Sequence, residues 1–313
     1  MNTKENEKSS SEILIPFREK ISDGELDLSY QNLNDNDFNE IILSLVKENI
    51  KQIKKINLKG NDLGINSITQ FSQNIKNFLY LESIELEYIN LKPECIRELF
   101  VKNYKVLNNI KHLNLRNTKI NELTSLTLAK GLKNYLQLEY LDLGENELTD
   151  KGIKEITLIF EKLNCLKYLN FERTYLTSKG LKYLSNNMKF LLKLEIINIA
   201  SNSIGTEGFE HLSEALKSTK EIKKLYLNKN KMASLGLKAI SSSFMYLTNL
   251  ELLNVSENLI GKEGCLPFAE KLFYLENLKS LIFEKNQVED GIYIIMSNLY
   301  NLKNLETVII NTI

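Results

Sequence analysis

The chain has 313 residues, 43% of them hydrophobic, and its 40 basic and 40 acidic side chains give a net charge of zero. This balance provides no electrostatic attraction to a nucleic-acid backbone or an anionic membrane, so we expect neither as a partner. No window reaches the ~18 or more continuous apolar residues of a membrane-spanning helix, so we expect a soluble protein with a large core.

The chain begins with a polar stretch. Residues 1–11 (MNTKENEKSSS) hold almost nothing that can be buried and lack the apolar region of a secretory signal, which predicts a disordered tail. Residues 12–24 form a short amphipathic segment, which we interpret as a cap on the first edge of the domain that follows. That domain is predicted to span residues 25–313.

A repeating unit is clearest from Leu138 to Cys165, because the same pattern begins again at Leu166. Alternating leucines around Leu141 and Leu143 predict a short strand with one buried face. The next apolar positions are spaced three, four and three residues apart, which predicts an amphipathic helix; they are Ile153, Ile156, Phe160 and Leu163. Asp150 is the expected N-cap. One strand and one helix cannot bury both apolar faces, so the unit must stack on copies of itself.

An asparagine or a substitute marks each turn after a strand, and the spacing settles at 28 residues from Thr118 onward. The markers are Gln31, Asn61, Ile89, Thr118, Asn146, Thr174, Asn202, Asn230, Asn258 and Asn286. An amide both donates and accepts, so we expect a structural ladder of hydrogen bonds along this row. Ile89 lacks these groups, and its turn should be bonded differently. Pro93 should begin the helix that follows it.

These strings resemble the ribonuclease-inhibitor-like class of leucine-rich repeats, from about residue 25 to the end. Glycines recur at the predicted helix starts in support, namely Gly152, Gly180, Gly208, Gly236 and Gly264. The resemblance implies an α/β solenoid, a right-handed horseshoe with a parallel sheet on the concave face and helices on the convex face. It implies ten repeats of about 28 residues plus a final strand. It implies a binding geometry but not a partner, because this fold serves many functions.

Side chains that flank the inward leucines should line the concave face. The first predicted zone is charged in blocks and contains Glu85, Glu87, His112 and Arg116. The second zone is predicted as one continuous apolar strip roughly 25 Å long on strands about 4.8 Å apart. Its members are Tyr140, Tyr168, Ile196, Tyr226, Leu252 and Ile282. Exposed tyrosines with a charged rim are typical of protein interfaces. The alternative is that the tyrosines only pack on one another and cover the sheet.

We therefore predict a protein-binding module without intrinsic catalysis, cofactor or metal. The histidines, His112 and His211, have no ligand spacing near them, and no glycine-rich phosphate loop is followed by lysine. The cysteines, Cys95, Cys165 and Cys265, fall in non-adjacent repeats and should be free thiols, which fits a reducing, cytoplasmic compartment.

Two other functions stay open. The resemblance includes GTPase-activating proteins of the Ran type, for which Arg116, Asn117 and Arg173 are the nearest candidate groups. A composition rich in lysine, asparagine and isoleucine also fits an effector that an intracellular bacterium delivers into a host cytoplasm. The last strand, around Val308 and Ile310, leaves an open edge. We expect this edge to stay exposed in a monomer; the alternative is a dimer that pairs edge to edge.

Overall fold

The computed structural model describes residues 20–48, 50 and 52–310. The predicted tail at residues 1–11 lies outside the described residues, as does the predicted cap before residue 20. No helix in the described ranges is long and apolar enough to cross a bilayer.

Within these ranges the strands form one sheet of 12 strands that follows chain order from end to end. The strands are β1 (Ile21–Ser22), β2 (Glu25–Asp27), β3 (Lys55–Asn57), β4 (Ser83–Glu85), β5 (His112–Asn114), β6 (Tyr140–Asp142), β7 (Tyr168–Asn170), β8 (Ile196–Asn198), β9 (Lys224–Tyr226), β10 (Leu252–Asn254), β11 (Ser280–Ile282) and β12 (Thr307–Ile309). β1 pairs antiparallel with β2, and every later pair is parallel. The sheet is open, and the architecture is the expected α/β horseshoe.

Helices alternate with the strands and pack beside one another behind the sheet. They are α1 (Asp35–Lys47), α2 (Ile65–Asn74), α3 (Pro93–Ile96), α4 (Glu122–Leu132), α5 (Thr149–Thr157), α6 (Ser178–Met188), α7 (Thr206–Leu216), α8 (Ala233–Ser241), α9 (Cys265–Ala269) and α10 (Ile292–Met296). Pro93 begins its helix as predicted, and a π-helical turn, Arg97–Val101, continues that helix. Several helices end in a short 3₁₀ turn, such as Phe160–Lys162 after α5.

The core is one apolar layer between the sheet and the helices. The central strand leucines and the predicted helical positions Ile153, Ile156, Phe160 and Leu163 are fully buried. Close helix packing requires a small residue at the helix start: a Cβ on Gly208 would lie 3.0 Å from the Cα of Ser178 in the neighbouring helix. The recurring glycines therefore set the distance between helices.

The prediction that Asp150 caps its own helix is wrong. Leu148 occupies the N-cap of α5 and makes no side-chain cap bond. Asp150 instead accepts hydrogen bonds from the next repeat, from the Thr177 backbone N–H at 2.9 Å and from the Thr177 hydroxyl at 2.6 Å. The carboxylate joins two repeats because the start of the next helix lies within its reach.

The asparagine ladder forms as predicted, and Asn146 shows its bonding. Its amide nitrogen donates to the carbonyl of Leu115 at 2.7 Å and to that of Leu143 at 3.0 Å. Its side-chain oxygen accepts from the backbone N–H groups of Thr118 and Ile120, both at 3.0 Å. One buried amide thus satisfies backbone groups in two repeats, where an unpaired group would be costly.

The ladder changes where asparagine is replaced. The hydroxyls of Thr118 and Thr174 donate to carbonyls of their own repeats, at 2.7 Å to Leu115 O and 2.8 Å to Phe171 O. Each also makes a longer contact with the asparagine of the next repeat, at 3.4 Å to Asn146 Oδ1 and 3.5 Å to Asn202 Oδ1, but neither reaches the preceding repeat as an asparagine does. At Ile89 the backbone N–H donates to Leu86 O at 3.1 Å. The expectation of a differently bonded turn at Ile89 is confirmed. At these three positions the side chain of the marker residue donates no hydrogen bond to a carbonyl of the preceding repeat, whereas those of Asn146 and Asn202 each donate one.

Candidate functional site

The outward positions of the strands form two parallel rows on the concave face. Strand pairing places His112, Tyr140, Tyr168 and Ile196 side by side in the first row. The next residue of that row is Lys224, because Ile196 pairs with Lys224. All of these side chains are partly exposed.

The prediction of one continuous apolar strip is wrong. Tyr226 and Ile282 lie in the second row, beside Asn198 and Asn254. Each strand has two outward positions, two residues apart, and the predicted strip mixed them. The apolar surface is instead a group of three in the first row, Tyr140, Tyr168 and Ile196, with Leu252 beyond Lys224.

Three rings of the first row stack face to face, and we call His112, Tyr140 and Tyr168 the ring column. The centroids of His112 and Tyr140 are 3.8 Å apart with an interplanar angle of 11°. Those of Tyr140 and Tyr168 are 4.0 Å apart at 7°. Each ring comes from a different repeat, so the column links three consecutive strands. The strands lie about 4.8 Å apart, which is close enough for rings at paired positions to stack with a small tilt of their side chains towards one another.

A buried carboxylate lies under the column. Asp142 is 4% exposed, and its Oδ2 lies 3.5 Å from the hydroxyl of Tyr140 and 3.5 Å from that of Tyr168. Asn170 Nδ2 donates to Oδ2 at 2.9 Å, and the Gly144 N–H donates to Oδ1 at 2.8 Å. Burial raises the pKa of Asp142, and burial together with this carboxylate raises the pKa of Tyr168 to about 12.

The histidine end of the column is charged. His112 Nε2 lies 2.8 Å from Glu85 Oε1, and Lys55 Nζ lies 3.8 Å from the same oxygen. Burial acts to raise the pKa of Glu85, but the contact with His112 holds it below the usual range. The predicted acidic and basic blocks therefore neutralise one another across neighbouring strands.

Arg116, Glu145 and Glu172 form a second group, which we call the arginine cluster. Arg116 Nη2 donates to Glu145 Oε1 at 2.8 Å and to Glu172 Oε2 at 2.9 Å. Burial acts to lower the pKa of Arg116, but these acidic neighbours raise it above its ordinary value. Arg116 reaches two repeats onward because Gly144 has no side chain: a Cβ there would lie 2.7 Å from Arg116 Nη1.

Glu87 is less accessible than the sequence suggested. It is 8% exposed, and its Oε2 lies 2.6 Å from Lys59 Nζ. The prediction that Glu87 belongs to an open binding surface is therefore wrong, because the side chain of Lys59 covers it. Arg116 is likewise held by ion pairs within the chain, and Arg173 Nη1 lies 3.9 Å from Glu145 Oε1.

No group of three or more His, Cys, Asp or Glu side chains within residues 20–48, 50 and 52–310 is placed to hold a metal ion. All three cysteines are free.

Sequence prediction missed one charged row, which we call the rim row. It consists of the residue directly before each parallel strand from β3 to β12, and its charge alternates without a break. The row is Lys54, Glu82, Lys111, Glu139, Lys167, Glu195, Lys223, Glu251, Lys279 and Glu306. Each interior lysine binds the preceding glutamate at 2.8 to 3.0 Å. The row is visible at the repeat spacing, but the prediction considered only positions that flank the inward leucines.

Comparison with known proteins agrees with this geometry. The family model described as "Leucine Rich repeat" matches residues 138–156 and 246–269. The fold is that of a leucine-rich-repeat solenoid. A comparison of the sequence with curated proteins finds no match.

Solved leucine-rich-repeat structures share the architecture at low sequence identity. An internalin (inlF) from Listeria monocytogenes has a TM-score of 0.50 and 19% identity, with 97% of this chain and 83% of that chain covered. A second internalin from that organism (inlC2) has a TM-score of 0.48 and 21% identity, with 70% of this chain and 84% of that chain covered. The likeness to the first supports the fold and says nothing of the partner.

Proposed function

We propose that this solenoid is a protein-binding module whose concave face holds its partner, without catalysis of its own. The observation that carries the proposal is the ring column continued by Ile196, a partly exposed apolar and aromatic group in the middle of the sheet. Aromatic groups surrounded by polar ones favour binding because they bury area at low entropic cost.

The rest of the concave face supports a partner of definite orientation. Charged groups lie to one side of the column, in the arginine cluster and around Glu85. Tyr226 and Leu252 lie on the other side and are half-buried. A partner that bridges the column would meet both acidic and basic groups on one flank, and Lys224 together with these apolar groups on the other. This difference between the flanks fixes its direction.

The arginine cluster argues against a GTPase-activating role for Arg116. An arginine that acts on a bound nucleotide must be free to reach it. Arg116 is instead held by Glu145 and Glu172 at 2.8 and 2.9 Å. We therefore prefer binding alone.

The test is affinity capture from lysate with two matched leucine-to-glutamate variants. Leu252→Glu adds a charge to the concave face, whereas Leu158→Glu adds the same charge at an exposed position after α5. We expect the same protein to be captured by the wild type and by Leu158→Glu, and to be lost with Leu252→Glu. Equal capture by all three proteins would place the binding surface elsewhere.

A further inference from the structure

We propose that the rim row is a self-association surface, on which a second copy of this chain docks in reversed orientation. The observation is the unbroken alternation of charge over ten consecutive repeats. This proposal is independent of the concave-face proposal, because the row runs along the edge where the strands begin.

The alternation makes the row complementary to its own reverse. Ten alternating charges begin with a lysine and end with a glutamate, so reversal places an opposite charge at every position. The facing pairs are Lys54 with Glu306, Glu82 with Lys279, Lys111 with Glu251, Glu139 with Lys223, and Lys167 with Glu195. A slip by one repeat would place like charges together at every position. Such a row can therefore select its register.

A two-fold axis is compatible with the shape of the horseshoe. The proposed two-fold axis runs parallel to the radial line through the middle of the arc. Rotation by 180° about it reverses the order of the repeats and turns the copy over, so that the same rims of the two molecules face each other. That line passes between β7 and β8, because Lys167 and Glu195 are the middle pair of the row. Both concave faces then open to the same side, and the two ring columns lie next to each other across the axis.

The backbone holds the row at a fixed spacing. The N–H groups of Glu139 and Tyr140 both donate to the carbonyl of Lys111, at 2.8 and 2.9 Å, and the same bond pair recurs at Lys167 and Lys223. The row therefore follows the strand spacing of about 4.8 Å and extends roughly 43 Å over its nine steps. Because the backbone is already ordered, only the side chains have to be ordered when the row meets a matching row.

The two end residues of the rim row also favour a second copy of this chain as the partner. The interior members pair within the molecule as four lysine–glutamate couples. Lys54 and Glu306 are exposed, and neither makes an ion pair with another described residue. In the reversed arrangement these two residues face each other. Single exposed ion pairs contribute little, so we expect a weak dimer that depends on the whole row and on ionic strength.

The test compares two double variants of identical composition by sedimentation equilibrium. Glu139→Lys with Lys223→Glu keeps opposite charges across the two-fold axis but breaks the couples within each copy. Glu139→Lys with Lys167→Glu keeps the couple within each copy but places like charges across the axis, where the lysine introduced at position 139 would face Lys223. Only a reversed dimer distinguishes the two.

We expect the wild type to dimerise at about 50 mM salt and to dissociate at about 500 mM, where the Debye length is a few ångströms. The first double variant should dimerise like the wild type, and the second should dimerise at least about tenfold more weakly. A monomer at low salt overturns the proposal. So does equal association of the two variants, which would indicate a contact elsewhere, such as the exposed edge of β12.

Discussion

The concave face differs between the strands β3 to β7 and the strands β8 to β11 in what joins one repeat to the next. In the first region the ladder is interrupted at Ile89, Thr118 and Thr174, and side chains on the concave face cross between repeats instead. In the second region the markers are all asparagines, no rings stack between the strands among the described residues, and Glu257 contacts Lys229 and Lys285 at 3.7 and 3.5 Å.

This difference shows that the ring column and the arginine cluster have a structural task as well as an exposed surface. Threonine cannot donate to the preceding repeat as asparagine does, because its hydroxyl has a single proton. Stacked rings and an arginine that spans two repeats supply cross-repeat contacts in the same place. A partner that binds there would bind a surface that is already ordered.

The largest expected effect comes from the asparagine that stands between the two threonines. Asn146→Ala removes the acceptor of the Thr118 and Ile120 N–H groups and the donations to the carbonyls of Leu115, Leu143 and Gly144 in a buried turn. We expect the free energy of unfolding to fall by about 3 kcal/mol or more. Urea titration followed by circular dichroism measures it.

The matched control for that variant lies in the regular region. Asn258→Ala removes an oxygen that accepts from Met232 N at 3.3 Å, together with donations to three carbonyls. It should cost less than Asn146→Ala, since neighbouring asparagines remain on both sides. An equal or larger cost would show that the interrupted ladder is no weaker than the regular one.

A second variant breaks the arginine cluster without touching a charge. Gly144→Ala introduces a Cβ 2.7 Å from Arg116 Nη1 and pushes the guanidinium away from Glu172. We expect a loss of about 1 to 2 kcal/mol in unfolding free energy. In an Arg116→Ala background the same substitution should be nearly neutral, because the two positions are coupled. An unchanged cost in that background would trace the effect to the backbone of Gly144 instead.

Much of this fold follows from the sequence, because every repeat has nearly the same spacing of apolar and marker residues. The strand leucines, the helical apolar positions and the asparagine row are where the periodicity predicts them. Contacts between repeats are less readable. Asp150 has the right residue type for a cap, yet its partner is Thr177, 27 residues onward. Only the distance between adjacent helices decides that choice.

The concave site shows the same limit. The two outward rows could be read from the 28-residue spacing, which places Lys224 beside Ile196 and Tyr226 beside Asn198, two residues further along the strand. The contacts that their side chains make could not. The burial of Glu87 follows from where the Lys59 side chain lies, which the strand pattern does not encode. The role of Gly144 depends on Arg116, which comes from another repeat.

A smaller effect separates stacked from solitary tyrosines. Tyr168 stacks on Tyr140 at 4.0 Å, whereas Tyr226 lies between Asn198 and Asn254 in its row. Tyr168→Ala should therefore lower the unfolding free energy by about 1 kcal/mol more than Tyr226→Ala, the contribution expected of an aromatic pair. Thermal and urea unfolding of both variants measure the difference. Equal costs would show that the column is held by burial alone.

The smallest effect is a pair of opposite pH dependences within the first region. Burial raises the pKa of Asp142 above its ordinary 3.8. The fold therefore loses stability as pH rises above 3.8 and the buried carboxyl ionises. Burial also acts to raise the pKa of Glu85, but contacts with His112 lower it below 4.5. The stabilising charge of Glu85 is therefore lost as pH falls through 4.5.

Asparagine and glutamine variants separate these two carboxylates. Asp142→Asn keeps an acceptor for Gly144 N–H, as the asparagines at neighbouring strands do for their own turns. Its stability relative to the wild type should rise as pH increases above 3.8, whereas that of Glu85→Gln should fall as pH increases towards 4.5 and change no further above it. Arg116 and Glu87 also act on Asp142 with opposite signs, so the measurement is repeated with Arg116→Ala. If the unfolding free energies of both variants run parallel to that of the wild type at every pH, neither carboxylate contributes to the pH dependence of folding. The carboxylate beneath the ring column would then not titrate in that range.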